Sequence, residues 1–151
     1  MATGTIILPI NGVKFPTTNP VALDASETNW RLLFDATTDE AGWWQFRMPQ
    51  NYASTPVLKL QYSMLSATTG AVYFQVQVMA VSDNDAADIN TESYDTANSG
   101  NATVPGTVGF LDEISITLIT MIHWQLEIMQ KSNLIGMRIM PVIRQLAMPK
   151  W

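Results

Sequence analysis

The chain has 151 residues, the size of one domain, and 47% of them are hydrophobic. Its net charge of −5 argues against a nucleic-acid partner, because phosphate binding requires clustered Lys and Arg. The absence of cysteine excludes a disulfide framework, a thiolate metal site and a cysteine nucleophile.

Residues 1–20 mix apolar residues with proline-rich turn signals, and we predict an N-terminal arm or an edge strand there. The opening Met-Ala-Thr-Gly-Thr lacks the basic residue and the apolar core of a secretion signal. No run in the chain reaches the roughly 18 apolar residues that a membrane span requires. We therefore expect no membrane partner.

Residues 29–34 and 42–48 are aromatic-rich strand candidates, and Pro49 ends the second. The clearest strand is 57–64, which alternates apolar and polar residues with the period of two that places one face on a core. Residues 72–81 repeat this alternation. The small residues between these two runs predict a turn, so the two strands should form an antiparallel hairpin.

Residues 83–95 form the main segment without strand character, with one helical turn started by an Asp cap as an expected feature. The stretch 98–106 is rich in turn formers, and 113–118 alternates again. Strands at this spacing predict an all-β domain over 21–118, an antiparallel β-sandwich or a jelly-roll-like barrel. The pattern does not fix the structure of the C-terminal segment.

The composition changes near Ile116. Residues 1–116 carry 12 acidic and 4 basic side chains, whereas residues 117–151 carry 1 and 4. Five of the nine methionines also fall in this tail. Residues 119–151 therefore form an atypical Met- and Ile-rich segment.

The tail has two interpretations. Back-translated and read from the third base of each codon, residues 121–150 yield Asp/Ala/Gly-rich loops and an alternating strand, similar in composition to residues 83–103. We therefore favour a single-base frame error at about residues 116–119. The alternative is a genuine C-terminal helix with one apolar face, formed by Ile119, Ile122, Leu126 and Met129.

Several runs of the domain resemble a known family: 34–40, 44–52, 58–64, 78–81, 85–89 and 105–113. Together, over about residues 29–118, they are similar to small, mostly uncharacterised structural proteins of tailed phages, of the capsid-decoration kind. In that family the chain continues with an Asp-Ser-Leu-Ala-Ala-Gly-Asp-like turn and an Arg-containing strand. The shifted frame supplies both, and the chain as written lacks them.

The resemblance implies a non-enzymatic virion protein, made in the host cytoplasm, that acts by protein–protein contacts. Its expected partners are the major capsid protein or other virion proteins, and further copies of itself. A carbohydrate- or receptor-binding module of a phage tail is the alternative function.

Candidate catalytic and metal-binding residues are few. His123 is the single histidine, which excludes a multi-histidine metal site. Asp83, Asp85 and Asp88 have some oxygen-ligand character for calcium, but the EF-hand pattern is absent and a solvated loop is the favoured interpretation. The neighbouring acids Asp39–Glu40 and Asp112–Glu113 are more typical of solvent-facing turns than of a glycosidase pair. We expect no enzymatic activity, cofactor or metal.

The aromatic residues suggest three roles: core packing, an interface, and stacking on sugar rings. Packing is the favoured role for the set Trp30, Trp43, Trp44, Phe46, Tyr52, Tyr62, Tyr73 and Phe74. Trp43 and Trp44 are neighbours in a predicted strand, so they should point to opposite faces. We predict that the outward ring, with Arg47 nearby, contacts another subunit.

Overall fold

Two antiparallel β-sheets form the fold in a computed structural model that describes residues 5–26, 29–47, 55–79, 88, 91 and 93–119, and the backbone of two later strands. The strands of the described part are β1 (Thr5–Ile6), β2 (Ala22–Asp24), β3 (Arg31–Phe34), β4 (Glu40–Trp44), β5 (Val57–Met64), β6 (Ala71–Val78), β7 (Asn98–Thr103), β8 (Asp112–Thr117), β9 (Leu126–Gln130) and β10 (Met137–Arg144). A 3₁₀ helix, Ile10–Gly12, lies between β1 and β2.

The larger sheet has the strand order β2-β3-β10-β5-β8, and β1 pairs with the end of β10. The smaller sheet has the order β4-β9-β6-β7. Neighbouring strands in both sheets run antiparallel. The predicted all-β antiparallel sandwich is confirmed.

Alternation along β5 and β6 decides which side chains fill the space between the sheets. Every second residue points inward, as the pleat of a strand requires. The inward side chains are almost fully buried: Leu58, Leu60, Tyr62, Met64, Val72, Phe74, Val76 and Val78. The predicted antiparallel hairpin is wrong, because these two strands sit in different sheets: β5 pairs with β10 and β8, and β6 pairs with β9 and β7.

Tyr62 links the layers directly. Its ring meets that of Phe74 edge to face, with the centroids 6.1 Å apart. Its hydroxyl donates to Oδ2 of Asp112 at 2.8 Å and lies 3.2 Å from the carbonyl oxygen of Thr103. Burial, together with the Asp112 carboxylate, raises the pKa of Tyr62 above its ordinary value, so the hydroxyl keeps its proton and remains a donor.

The N-terminal residues run from one sheet to the other. Thr5 and Ile6 pair with β10 of the larger sheet, as an edge strand. Lys14 then exchanges two backbone hydrogen bonds with Trp43 of β4, at 2.7 and 2.9 Å. The amide of Val21 donates to the carbonyl oxygen of Ala41. Residues 5–21 therefore form a strap across the side of the sandwich.

Two further expectations differ from the structure. Residues 98–103, predicted as part of a turn, form β7, because pairing with β6 supplies backbone partners that outweigh the poor strand propensity of Asn, Ser and Gly. The helical alternative for the tail is wrong at Leu126 and Met129, which lie on β9 between β4 and β6. There the open sides of two strands offer ladder hydrogen bonds.

Gly100 of β7 faces side chains of β8 across the core. A Cβ at this position would lie 2.8 Å from Cγ1 of Ile116 and 3.2 Å from Cδ1 of Ile114. We expect Gly100→Ala to lower the free energy of unfolding by about 1–3 kcal/mol, because the added methyl overfills the gap. Urea denaturation measures the change. Gly106→Ala is the matched control, since a Cβ there meets nothing within 4 Å; equal losses in both variants would contradict this account.

The frame-error interpretation of the tail stays a prediction. It predicts a missing or extra base in the nucleotides that encode the junction at about residues 116–119. High-depth sequencing of the source DNA across that junction measures it directly. An intact frame would make residues 117–151 a genuine segment and would refute the interpretation.

Candidate functional site

Trp43 and Trp44 lie on opposite faces of β4, as predicted. The Trp44 side chain points into the core and is only 2% exposed. Its indole Nε1 donates a hydrogen bond of 3.0 Å to the carbonyl oxygen of Pro9 in the strap. Trp44 therefore belongs to the core, and the predicted contact with another subunit, if it uses this pair, falls to Trp43.

Trp43 faces outward and is partly exposed. Its ring lies 6.5 Å from that of Tyr94, with an angle of 42° between the planes. Arg47 is exposed and lies three residues beyond the end of β4. The structure thus separates the three predicted interface residues into one core residue and two residues on the surface.

The outward rows of the smaller sheet form a surface that we call the amide–aromatic face. Its described members are Trp43, Tyr73, Gln75, Gln77, Ser99 and Asn101, with Tyr94 beside Trp43. Tyr73 lies opposite Asn101, and Gln75 lies opposite Ser99. Gln77 and Trp43 occupy the same row, on either side of the backbone of Glu127 in β9.

This face is polar but uncharged along β6 and β7. Its outward positions there hold amides, hydroxyls and a phenol, and no Asp, Glu, Lys or Arg. Tyr73 is 38% exposed. Gln77 donates through Nε2 to the carbonyl oxygen of Asp95, 3.3 Å away, and the amide of Asp95 donates to Val78. The segment that carries Tyr94 is thereby tied to the end of β6.

A second surface lies at one end of the sandwich, where β5 ends and β8 begins. We call it the apolar end cluster. It is formed by four exposed side chains, Leu65, Val108, Phe110 and Leu111. Phe110 and Leu111 are 63% and 61% exposed.

Backbone hydrogen bonds fix the loop that carries most of this cluster. The amide of Gly109 donates to the carbonyl oxygen of Met64 at 3.0 Å, which places the loop beside Leu65. The amide of Phe110 closes a turn onto Thr107, and Gly109 has a φ of 81°, in the left-handed region that favours glycine. The sequence signal for this surface is the unalternated apolar run Val108-Gly109-Phe110-Leu111, which our strand prediction did not use.

The neighbouring acids Asp112 and Glu113, expected on a solvent-facing turn, lie instead on strand β8 and are partly buried. Asp112 accepts the Tyr62 hydroxyl, whereas Glu113 forms an ion pair with Lys59. As successive residues of β8 they point to opposite sides of the sheet and cannot flank one bond.

Glu40 lies beside a surface depression of about 440 Å³ at the turn between β3 and β4. Its Oε2 accepts the backbone amide of Asp35 at 2.7 Å. Burial raises the pKa of Glu40, and the Asp35 carboxylate adds to the rise. Hydrogen bonds from Thr37 lower the pKa of Asp35. Glu40 and Asp35 therefore shape the turn, and the Asp35 carboxylate also affects the ionisation of Glu40.

Among the described residues, no group of three or more His, Cys, Asp or Glu could hold a metal ion. His123, Asp83 and Asp85 lie outside the described residues. Within the same part of the chain, no helix is long and apolar enough to cross a membrane.

Comparisons with known proteins assign no family to this chain. No protein-family model and no curated protein matches the chain. A solved structure described as a xylan-binding domain from CBM 22, formally x6b domain, is similar over 91% of this chain and 88% of its own, with a TM-score of 0.49 and 14% identity. Similarity at that level is too low to transfer a function.

Because Trp44 is buried and Trp43 is partly exposed, their removal should cost different amounts of stability. We expect Trp44→Ala to lower the free energy of unfolding by about 3–5 kcal/mol, because it leaves a large core cavity and removes the hydrogen bond to the strap. Trp43→Ala should cost only about 1 kcal/mol, mainly the lost ring contact with Tyr94. Urea denaturation followed by fluorescence compares the two, and a larger loss for Trp43→Ala would contradict the assigned faces.

Proposed function

We propose that this protein is a non-enzymatic structural component of a virion, a capsid decoration protein or a related head or tail component. It acts by contact with the major capsid protein or other virion proteins and by self-association. The observation that carries this proposal is the apolar end cluster, in which four large apolar side chains are exposed at one end of the sandwich.

The energetics favour association through this cluster. Burying one large apolar side chain contributes roughly 1.5–3 kcal/mol, and exposed apolar patches on soluble proteins mark interaction sites. The loop is also shaped in advance by its hydrogen bonds to Met64 and Thr107, so little conformational entropy is lost when a partner binds. The resemblance of residues 29–118 to phage structural proteins supports a virion as the setting.

The contacts of the acidic residues support the non-enzymatic part of the proposal. Glycoside hydrolysis requires two carboxylates that face one bond. Asp112 and Glu113 face opposite ways and are occupied by Tyr62 and Lys59. The Glu40 carboxylate accepts a backbone amide from its own turn.

A carbohydrate- or receptor-binding module of a phage tail is the second candidate function. The observation that favours it is the amide–aromatic face, where Tyr73 presents an exposed ring opposite Asn101 and Trp43 is partly exposed beside Tyr94. This surface lies on a sheet face, whereas the apolar end cluster lies in a loop at the end of the sandwich. The two candidate functions therefore use different residues and are separately testable.

The double variant Phe110→Ser/Leu111→Ser tests the first proposal. We expect the wild-type chain to form a homo-oligomer and the variant to shift to monomer by at least tenfold in dissociation constant, because the exposed apolar area is lost. Light scattering coupled to size-exclusion chromatography measures both. Ile7→Ser is the matched control, since Ile7 is equally exposed on the strap, and it should associate like the wild type.

Two results would contradict the proposal. One is a double variant that associates as strongly as the wild type. The other is a wild-type chain that is monomeric and also fails to bind capsids of the virus that encodes it.

A further inference from the structure

We propose that the amide–aromatic face is a binding site for a neutral polysaccharide chain. This inference rests on the second candidate function and gives it a site and a ligand class. It goes beyond the virion proposal, which uses the apolar end cluster.

The chemistry of the face suits a polyhydroxylated ligand. Amide and hydroxyl side chains offer both donors and acceptors. Gln75, Asn101 and Ser99 can therefore bond to sugar hydroxyl groups that donate as well as to those that accept. The exposed ring of Tyr73 offers a flat apolar surface with a polar tip. Sugar rings have the corresponding apolar C–H faces and hydroxyl rims.

The charge of the face selects among sugars. The outward positions of β6 and β7 hold no Asp, Glu, Lys or Arg, so this half of the face has no cation to pair with a uronate or sulfate group. Lys14, which pairs with Trp43 at the other edge, donates through Nζ to Oε1 of Gln45. Binding an anionic chain would leave its charges partly desolvated and without partners, which is costly. A neutral chain has no such cost.

The spacing of the rings suits a chain rather than a single sugar. Tyr73 and Gln77 are four residues apart on β6, and Trp43 lies in the row of Gln77 two strands away. With about 3.4 Å per residue and about 4.8 Å between strands, the diagonal from Tyr73 to Trp43 is roughly 17 Å. The amides of Gln75 and Gln77 lie along the β6 side of this diagonal.

The face is held in shape before any ligand arrives. Trp43 is fixed by two backbone hydrogen bonds to Lys14 and by its ring contact with Tyr94. Gln77 is fixed by its hydrogen bond to the carbonyl oxygen of Asp95. Ordering these groups costs free energy, and here that cost is met during folding rather than binding.

Native affinity gel electrophoresis of the full chain tests this site. The probes are four soluble neutral polysaccharides, a β-glucan, a mannan, a xylan and a dextran, with alginate as an anionic comparison. We expect at least one neutral probe to retard the wild-type protein and alginate not to do so. Tyr73→Ala and Gln75→Ala should each weaken that retardation at least tenfold in apparent Kd, and Trp43→Ala should do the same.

Trp30→Ala is the matched control, because Trp30 is another exposed aromatic residue, next to β3 of the larger sheet. It should bind like the wild type, as should Phe110→Ser/Leu111→Ser. Thermal melting of each variant verifies its fold, and Tyr73→Ala tests the site even if Trp43→Ala is destabilised.

The outcomes separate the site from the function. Retardation that survives both Tyr73→Ala and Gln75→Ala would overturn this site while leaving carbohydrate binding in place. Absence of retardation by all four neutral probes, or retardation by alginate alone, would overturn the inference and the carbohydrate function together. Neither result affects the association experiment on the apolar end cluster.

Discussion

The fold depends on two strands that pair in the middle of the sheets. β9 lies between β4 and β6, and β10 lies between β3 and β5. Among the described residues, no other strand connects β4 to β6 or β3 to β5. Without β9, the strand that carries Trp43 and Trp44 would be separated from β6. The backbone hydrogen bonds of β9 therefore decide whether the amide–aromatic face exists as one surface, and the origin of the tail sequence bears on both sheets.

The two candidate surfaces follow from the way the core is filled. Once the even-numbered residues of β6 enter the core, Tyr73, Gln75 and Gln77 must face outward, because a strand alternates its side chains. The apolar end cluster has a different origin. Its loop joins β7 of one sheet to β8 of the other, and its apolar side chains lie beyond the space that the two sheets enclose. The amide–aromatic face is thus the outer side of a sheet whose inner side forms the core. The apolar end cluster consists of apolar side chains that lie outside the core.

Local pattern was enough to predict the parts of the fold that depend on alternation. It gave the bounds of β5, the all-β class and the opposite faces of Trp43 and Trp44, because these need no knowledge of distant residues. β7 could not be predicted in this way, since its small and polar residues form a strand only beside β6. The pairing of Trp43 with Tyr94 joins residues far apart in the chain. Likewise, the apolar run at 108–111 indicates exposure only when its position at the end of the sandwich is known.

The strap makes the two edges of the smaller sheet unequal. Along the side of β4 that faces away from β9, the backbone groups of Ala41 and Trp43 are already bonded to Asn19, Val21 and Lys14. A strand from another molecule cannot add there without displacing the strap. β7, at the opposite side, is paired in the described part of the sheet with β6 alone. Lengthening of the smaller sheet by a foreign strand is therefore directed to β7, so intermolecular sheet growth has one permitted direction.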